Sequence, residues 1–141
     1  MGAATPVTPA PRRTLTVVRR AAWFGGALFW SAFAVLEAVK HGWAAGLLAF
    51  AFLLAPDLTM LIGVREAASA GLVRGRLLPR AVPYYNAVHH PLVPLALMVV
   101  YTFGVFVWAP AFAALCGWMA HISYDRAFGY GPRTKEGFQR G

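Results

Sequence analysis

Four side chains of the kinds that bind divalent metals interrupt apolar stretches of this sequence: Asp57, His89, His121 and Asp125. Imidazole nitrogens and carboxylate oxygens suit Zn, Fe or Mn, and a catalytic metal keeps one further position open for water. His121 and Asp125 are four residues apart, so a helix presents both on one face. The four residues therefore predict one divalent metal site, although their spacing matches neither HExxH nor CxxC.

The composition indicates the surroundings of these side chains. The chain is 59% hydrophobic and 13% charged, whereas a soluble domain carries about 25% charged residues. A helix of about 20 apolar residues crosses the hydrocarbon core of a bilayer. We therefore predict an all-α fold, an integral membrane bundle of four transmembrane helices at 21–40, 43–63, 86–108 and 110–128.

The basic residues predict the orientation of this bundle. Of the 13 Lys and Arg residues, all except Lys40 fall on one side of the predicted membrane, and cytoplasmic loops carry the excess of such residues. A flexible N-terminal tail (1–20), a basic loop (64–83) and a C-terminal tail (129–141) are thus predicted to be cytoplasmic. We expect a multi-pass protein of the cell inner (cytoplasmic) membrane, with the lipid bilayer rather than nucleic acid as the partner of its net charge of +8.

Depth in the membrane brings the four side chains together. At 1.5 Å per helical residue, Asp57 lies about 21 Å from the outer end of its helix, and His121 and Asp125 lie about 16 and 22 Å from the outer end of theirs. His89 begins a helix that runs in the opposite direction. All four are predicted to lie in the cytoplasmic third of the bilayer, where an ionisable group costs at least ~2.5–3.5 kcal/mol and is a candidate for function.

Two further polar residues are predicted to act beside the metal. Asn86 is three residues before His89 and shares its helix face, so we expect its amide to orient substrate or water. Arg126 directly follows Asp125 and is expected to hold an anionic group such as phosphate. His90 points away from the face of His89 by about 100°.

Other interpretations of the same residues stay open. Asp57 and Arg126 form an ion pair in a structural interpretation, which would join helix 2 to helix 4. His89 and His90 would then be solvated at the interface, and His121 would hydrogen-bond a carbonyl across helices. A proton or ion relay through the cluster is a further interpretation.

Three motifs in the second half of the chain carry a resemblance to a known family. They are Pro56-Asp57-Leu58-Thr59-Met60, then Tyr85-Asn86-Ala87-Val88-His89 with Pro94, then Ala120-His121-Ile122 with Asp125-Arg126 and Gly129-Tyr130-Gly131. In this order they resemble the bacterial membrane proteins of domain of unknown function 4260, over about Leu48 to Tyr130. The resemblance implies a small multi-helix membrane protein without an assigned activity.

The resemblance also singles out His89, rather than His90, as the family histidine. The chain departs from the family pattern in two places. Helix 1 reads Ala21-Ala22-Trp23-Phe24 where members of the family often carry a Glu, and the loop 64–83 is longer than usual. If that Glu belongs to the family's site, the site of this chain is incomplete.

Three functions are consistent with these observations, and only the first is enzymatic. The first is a membrane metalloenzyme that acts on a lipid or another amphiphile at the inner leaflet. The second is a proton- or ion-coupled transport module, expected as a homo-oligomer because four short helices enclose little volume. The third is a structural membrane protein with charge-paired helices. The apolar outer halves of helices 3 and 4 argue against a transport path.

Overall fold

The chain is described by a computed structural model over residues 10–71 and 75–140, and the regular secondary structure of this part is helical apart from one β-bridge between Arg133 and Gln139. The helices are α1 (Ala10–His41), α2 (Trp43–Leu54), a 3₁₀ helix (Ala55–Leu61), α3 (Val64–Ser69), α4 (Val82–Val88), α5 (Leu92–Thr102) and α6 (Ala109–Phe128). The predicted all-α class is confirmed. Residues 1–9 of the predicted N-terminal tail, 72–74 of the predicted loop and 141 of the predicted C-terminal tail lie outside the described residues.

α6 is the central helix, and it packs against α1, α2 and α5. Its residues 113–117 and 119–123 are buried. The outer surfaces of the surrounding helices, by contrast, expose large apolar side chains such as Phe29, Phe50 and Val99. Two helical segments, Arg13–His41 and Trp43–Leu61, are long and apolar enough to cross a membrane.

Small residues set the distance between α2 and α6. Ala45, Ala49 and Ala113 form one buried cluster, and a Cβ atom at Gly117 would collide with the backbone of Ala49. The pairs of small residues at four-residue spacing therefore mark a close helix–helix contact, as such spacing does in many membrane helices.

The first two predicted helices have different bounds in the structure. α1 begins at Ala10, so residues 10–20 of the predicted flexible tail are helical. The second helix changes from α to 3₁₀ geometry at Ala55 instead of continuing to residue 63. Pro56 lies at that change, and it lacks the N–H that a continuous α-helix requires.

The predicted third helix is two helices. α4 ends at Val88 and α5 begins at Leu92, because a residue before proline, here His90, is disfavoured in the α conformation. α5 ends at Thr102, and Gly104 then adopts a φ of 73°, which glycine adopts without steric cost. The predicted fourth helix, 110–128, matches α6 to within one residue at its start.

The C-terminal segment is packed against the rest of the chain. The N–H of Leu77 donates to the carbonyl of Gly137 at 3.0 Å. The guanidinium of Arg133 lies 5.2 Å from the ring centroid of Tyr85, and this ring belongs to a small buried cluster with Leu77. The predicted tail and the predicted loop therefore contact each other beside α4.

Candidate metal centre

Four ligand atoms from three separate segments converge in the structure. They are Oδ1 of Asp57 in the 3₁₀ helix, Nε2 of His89 at the end of α4, and Nε2 of His121 and Oδ2 of Asp125 in α6. The two Nε2 atoms are 3.2 Å apart, and the four histidine–aspartate distances are 3.5–3.6 Å. The structure thus brings the predicted ligand set together, and we call these four residues the His/Asp cluster.

The distances within the His/Asp cluster match those of a tetrahedral metal site. Metal–ligand bonds of about 2.0–2.1 Å, typical of zinc with nitrogen or oxygen, place the ligand atoms of a regular tetrahedron roughly 3.3–3.4 Å apart. The separations of 3.2–3.6 Å lie on either side of this value. These are five of the six separations in the set, and the sixth, between the two carboxylates, is within 4.8 Å.

Backbone carbonyls fix the second nitrogen of both imidazole rings. Nδ1 of His89 is 2.8 Å from the carbonyl oxygen of Tyr85, and Nδ1 of His121 is 2.8 Å from that of Leu53. A carbonyl oxygen only accepts hydrogen bonds, so both Nδ1 atoms carry the proton. In its neutral form each ring therefore directs an Nε2 lone pair into the cluster, the arrangement found in metal-binding histidines.

This protonation leaves four acceptor atoms facing one another. The two Nε2 lone pairs and the two carboxylate oxygens repel when no donor or cation lies between them. A divalent cation at the centre removes the repulsion and takes all four as ligands. The donor set, two imidazoles and two carboxylates, suits Zn, Fe or Mn.

The register between α2 and α6 positions two of the four ligands. Three residue pairs face each other along α6 and along α2 with its 3₁₀ continuation, and successive pairs are one helical turn apart. The pairs are Ala49–Gly117, Leu53–His121 and Asp57–Asp125. A 3₁₀ hydrogen bond to the carbonyl of Leu53 would need an N–H from Pro56, which has none. That carbonyl instead accepts from His121, so the change of helix type also orients a ligand.

His89 is positioned by the end of α4. The ring of Tyr85 stacks on the imidazole, with ring centroids 3.8 Å apart and planes 18° apart. The carbonyls of Val88 and His89 are among those that a helix end leaves without a helical donor. They accept from two side chains of α6, Trp118 Nε1 at 2.7 Å and Arg126 Nη2 at 3.4 Å. α6 thus supplies two ligands and also holds the segment that supplies a third.

The two kinds of ligand differ in exposure. The side chains of His89 and His121 are 2% and 8% exposed, whereas those of Asp57 and Asp125 are 52% and 22% exposed. The cluster is therefore closed on the histidine side and open on the side of the 3₁₀ helix. A substrate or water molecule would approach a bound metal from this open side.

Asn86 makes two contacts with the C-terminal segment that the sequence did not predict. Its Oδ1 accepts from the backbone N–H of Arg133 at 2.7 Å, and its Nδ2 donates to the carbonyl of the same residue at 3.0 Å. The amide therefore fixes the C-terminal segment through one donor and one acceptor, and its role in orienting substrate or water stays a prediction. His90 is exposed, and its Nδ1 accepts from the N–H of Leu92 at 3.3 Å, so it lies outside the cluster.

The structural alternatives fare differently. Within residues 10–71 and 75–140, Asp57 pairs with the two histidines, and the predicted ion pair with Arg126 is not formed. His121 does hydrogen-bond a carbonyl across helices, and this bond orients the ring for the cluster rather than replacing it.

Sequence reasoning missed Leu53 and Trp118. A backbone carbonyl gives no side-chain signal, and an indole in an apolar helix suggests packing or the membrane interface.

Comparison with known proteins gives one match. A sequence model of a protein family described as a domain of unknown function (DUF4260) matches residues 25–141. Searches of curated proteins and of solved structures each gave no match. The match covers most of the chain and includes all four residues of the His/Asp cluster, so this chain belongs to the DUF4260 family.

Proposed function

We propose that this protein is a membrane-embedded metalloenzyme that hydrolyses a lipid or another amphiphile at the inner leaflet. The observation that carries the proposal is the convergence of two imidazole nitrogens and two carboxylates at 3.2–3.6 Å, with the second nitrogen of each ring bonded to a backbone carbonyl. Asp57, His89, His121 and Asp125 hold one divalent metal. A bound metal would supply Lewis acidity and, with a water from the open side of the cluster as a further ligand, an activated water for hydrolysis.

The exposed apolar surface supports a membrane location. Monomeric soluble proteins rarely expose contiguous apolar patches above a few hundred Å², and here large apolar side chains are exposed along α1, α2 and α5. α1 has 32 residues and is thus about 48 Å long, enough to cross the ~30 Å hydrocarbon core and extend beyond it. We propose four crossings: α1, α2 with the 3₁₀ helix, α4 with α5, and α6. The excess of basic residues on one side supports a cytoplasmic location for both termini.

The metal content of the purified protein tests the centre. We expect about one metal ion per chain, as in mononuclear sites, after the detergent-purified protein has been supplied with Zn, Mn and Fe in turn and washed. His121→Ala should lose the ion, because it removes a buried ligand. His41→Ala, which removes a histidine at the C-terminal end of α1 and outside the His/Asp cluster, is the matched control and should keep the ion. A wild-type protein without metal under all three conditions would overturn the proposal.

Hydrolysis tests the catalytic part separately. Phospholipids in mixed micelles are the first substrates, with release of fatty acid and of headgroup both measured. We expect turnover that requires the metal, that His121→Ala abolishes, and that His41→Ala retains. Stoichiometric metal without turnover of any amphiphile would support the metal centre but contradict the proposed hydrolase activity.

Single cysteines test the proposed topology. The chain has one cysteine, Cys116, which is buried, so Cys116→Ser gives a background for labelling. In intact spheroplasts an impermeant maleimide should label Lys40→Cys at the outer face. Ser69→Cys and Lys135→Cys should react only after the membrane is opened. Labelling of Lys135→Cys in sealed spheroplasts would contradict the proposed cytoplasmic C-terminus.

A second candidate function uses the same contact between the two histidines. At 3.2 Å, the two Nε2 atoms lie within hydrogen-bond distance, so one shared proton also relieves the repulsion in the cluster. This arrangement favours a proton-coupled transport module. The metal analysis separates the two functions, since the transport module predicts no stoichiometric metal in the wild-type protein.

A further inference from the structure

A second concentration of charge lies where the start of α1 meets the end of α6. A pocket of about 360 Å³ opens there, lined by the side chains of Arg19 and Arg20 from α1, Arg126 from α6, and Arg140 from the C-terminal segment. No acidic residue lines it. Four guanidinium groups around one opening repel one another unless an anion lies among them.

Two other arginines of the chain, Arg80 and Arg76, have a carboxylate and a backbone carbonyl as partners, respectively. Arg80 forms an ion pair with Glu66 at 2.9 Å. Arg76 donates to the carbonyl of Glu136 at 2.8 Å and lies over the ring of Phe138. Within the described residues, by contrast, none of the four arginines of the pocket forms an ion pair with a carboxylate.

The backbone beside the pocket is shaped to admit two of these guanidinium groups. A Cβ atom at Gly129 would collide with the guanidinium of Arg20, and one at Gly131 would lie 2.7 Å from Nη1 of Arg126. Gly129 also has a φ of 91°, where a side chain is strained. Because Gly129 and Gly131 carry no side chains, the Gly-Tyr-Gly sequence at the end of α6 leaves room for two guanidinium groups beside its backbone.

We propose that this arginine pocket binds a phosphate group. One planar guanidinium group can bind two phosphate oxygens at once. Several such groups around one opening fit a phosphate dianion or a phosphodiester headgroup. The predicted role of Arg126 in holding an anion thereby extends to Arg19, Arg20 and Arg140. The phosphate belongs either to a lipid headgroup or to a soluble phosphorylated molecule. The site does not require metal in the His/Asp cluster, although Arg126 also donates to the carbonyl of the ligand His89.

Binding measurements on metal-free protein test this proposal independently of the proposed function. The protein is placed in phosphatidylcholine nanodiscs with EDTA and titrated with inorganic phosphate. In parallel, retention of phosphatidic acid over phosphatidylcholine is measured by native mass spectrometry. Arg19→Gln with Arg20→Gln should weaken binding at least about tenfold, since two charge-assisted contacts are lost. When Arg20→Lys replaces Arg20→Gln in this double variant, part of the binding should return, because lysine restores the charge but not the bidentate geometry.

The control variant removes the same charge elsewhere. Arg65→Gln with Lys135→Gln takes two positive charges from the side that the sequence predicts to be cytoplasmic, outside the pocket, and it should bind as the wild type does. Selective loss of phosphate binding in the pocket variant supports a soluble ligand, and selective loss of phosphatidic acid retention supports a lipid headgroup. Equal loss in the two double variants, or no binding of either probe by the wild type, overturns the proposal.

Discussion

The chain contains two histidine–carboxylate pairs at helical i,i+4 spacing, and only one of them is part of a larger site. In α1, Nε2 of His41 lies 3.4 Å from Oε2 of Glu37. In α6, Nε2 of His121 lies 3.5 Å from Oδ2 of Asp125. The local geometry is nearly the same, but within the described residues only the second pair is joined by further ligands, His89 and Asp57. Helical spacing therefore makes a pair, and the packing of other segments makes a metal site.

The largest expected effect comes from reducing the His/Asp cluster to two ligands. Asp57→Asn with Asp125→Asn leaves both histidines in place but removes both anionic ligands. Loss of even an outer-shell partner of a metal ligand costs about 10–100-fold in affinity, so the double change should weaken zinc binding by more than about 100-fold. Competition with a chromogenic chelator measures this. Glu37→Gln with His41→Gln, the same test on the other pair, should leave the affinity unchanged.

The close contact of α2 and α6 gives the next largest effect. Gly117→Ala places a methyl group against the backbone of Ala49, and such overpacking costs about 1–3 kcal/mol. It should also separate Leu53 from His121, one turn along, and weaken metal binding. Gly25→Ala is the control because no atom lies within 4 Å of its added Cβ. Thermal unfolding in detergent with the chelator assay should show a loss at residue 117 only, and equal losses at both sites would refute the register argument.

Trp118→Phe should have a smaller effect. The change keeps an aromatic ring but removes the hydrogen bond to the carbonyl of Val88, and an unsatisfied buried acceptor costs about 1–3 kcal/mol. Because this bond holds the end of α4 beside His89, zinc affinity should fall by about tenfold. Trp43→Phe, at an exposed position, is expected to change neither quantity. An unchanged affinity in Trp118→Phe would mean that the end of α4 is held by its other contacts.

His90→Ala should have the smallest effect. His90 is exposed, and within the described residues its side chain bonds only the start of α5, so the loss of this side chain should lower the free energy of unfolding by less than about 1 kcal/mol. Metal content should stay at the wild-type level. The matched variant His89→Ala should lose the metal. A comparable loss in both variants would show that the neighbouring histidines share the ligand role.

Much of the His/Asp cluster is predictable from the sequence because depth in a membrane is a linear function of position along a helix. Asp57, His121 and Asp125 fall at similar depths once the helices run in the predicted directions, and His89 joins them from the opposing helix. The bounds of the helices were less predictable. Pro56 and Gly104 end or alter helices that hydrophobicity alone would continue, and the helical start of α1 carries no apolar signal.

The sequence by itself determined the helical class, the apolar surface and the residue types of the His/Asp cluster, since these depend on composition and on spacing within single helices. Only the tertiary structure decided which ring nitrogen faces the cluster, because the carbonyls of Tyr85 and Leu53 make that choice. It likewise decided that Asn86 binds the C-terminal segment and that Asp57 faces histidines rather than Arg126. Partners distant in the chain meet through packing, and spacing within a helix cannot specify them.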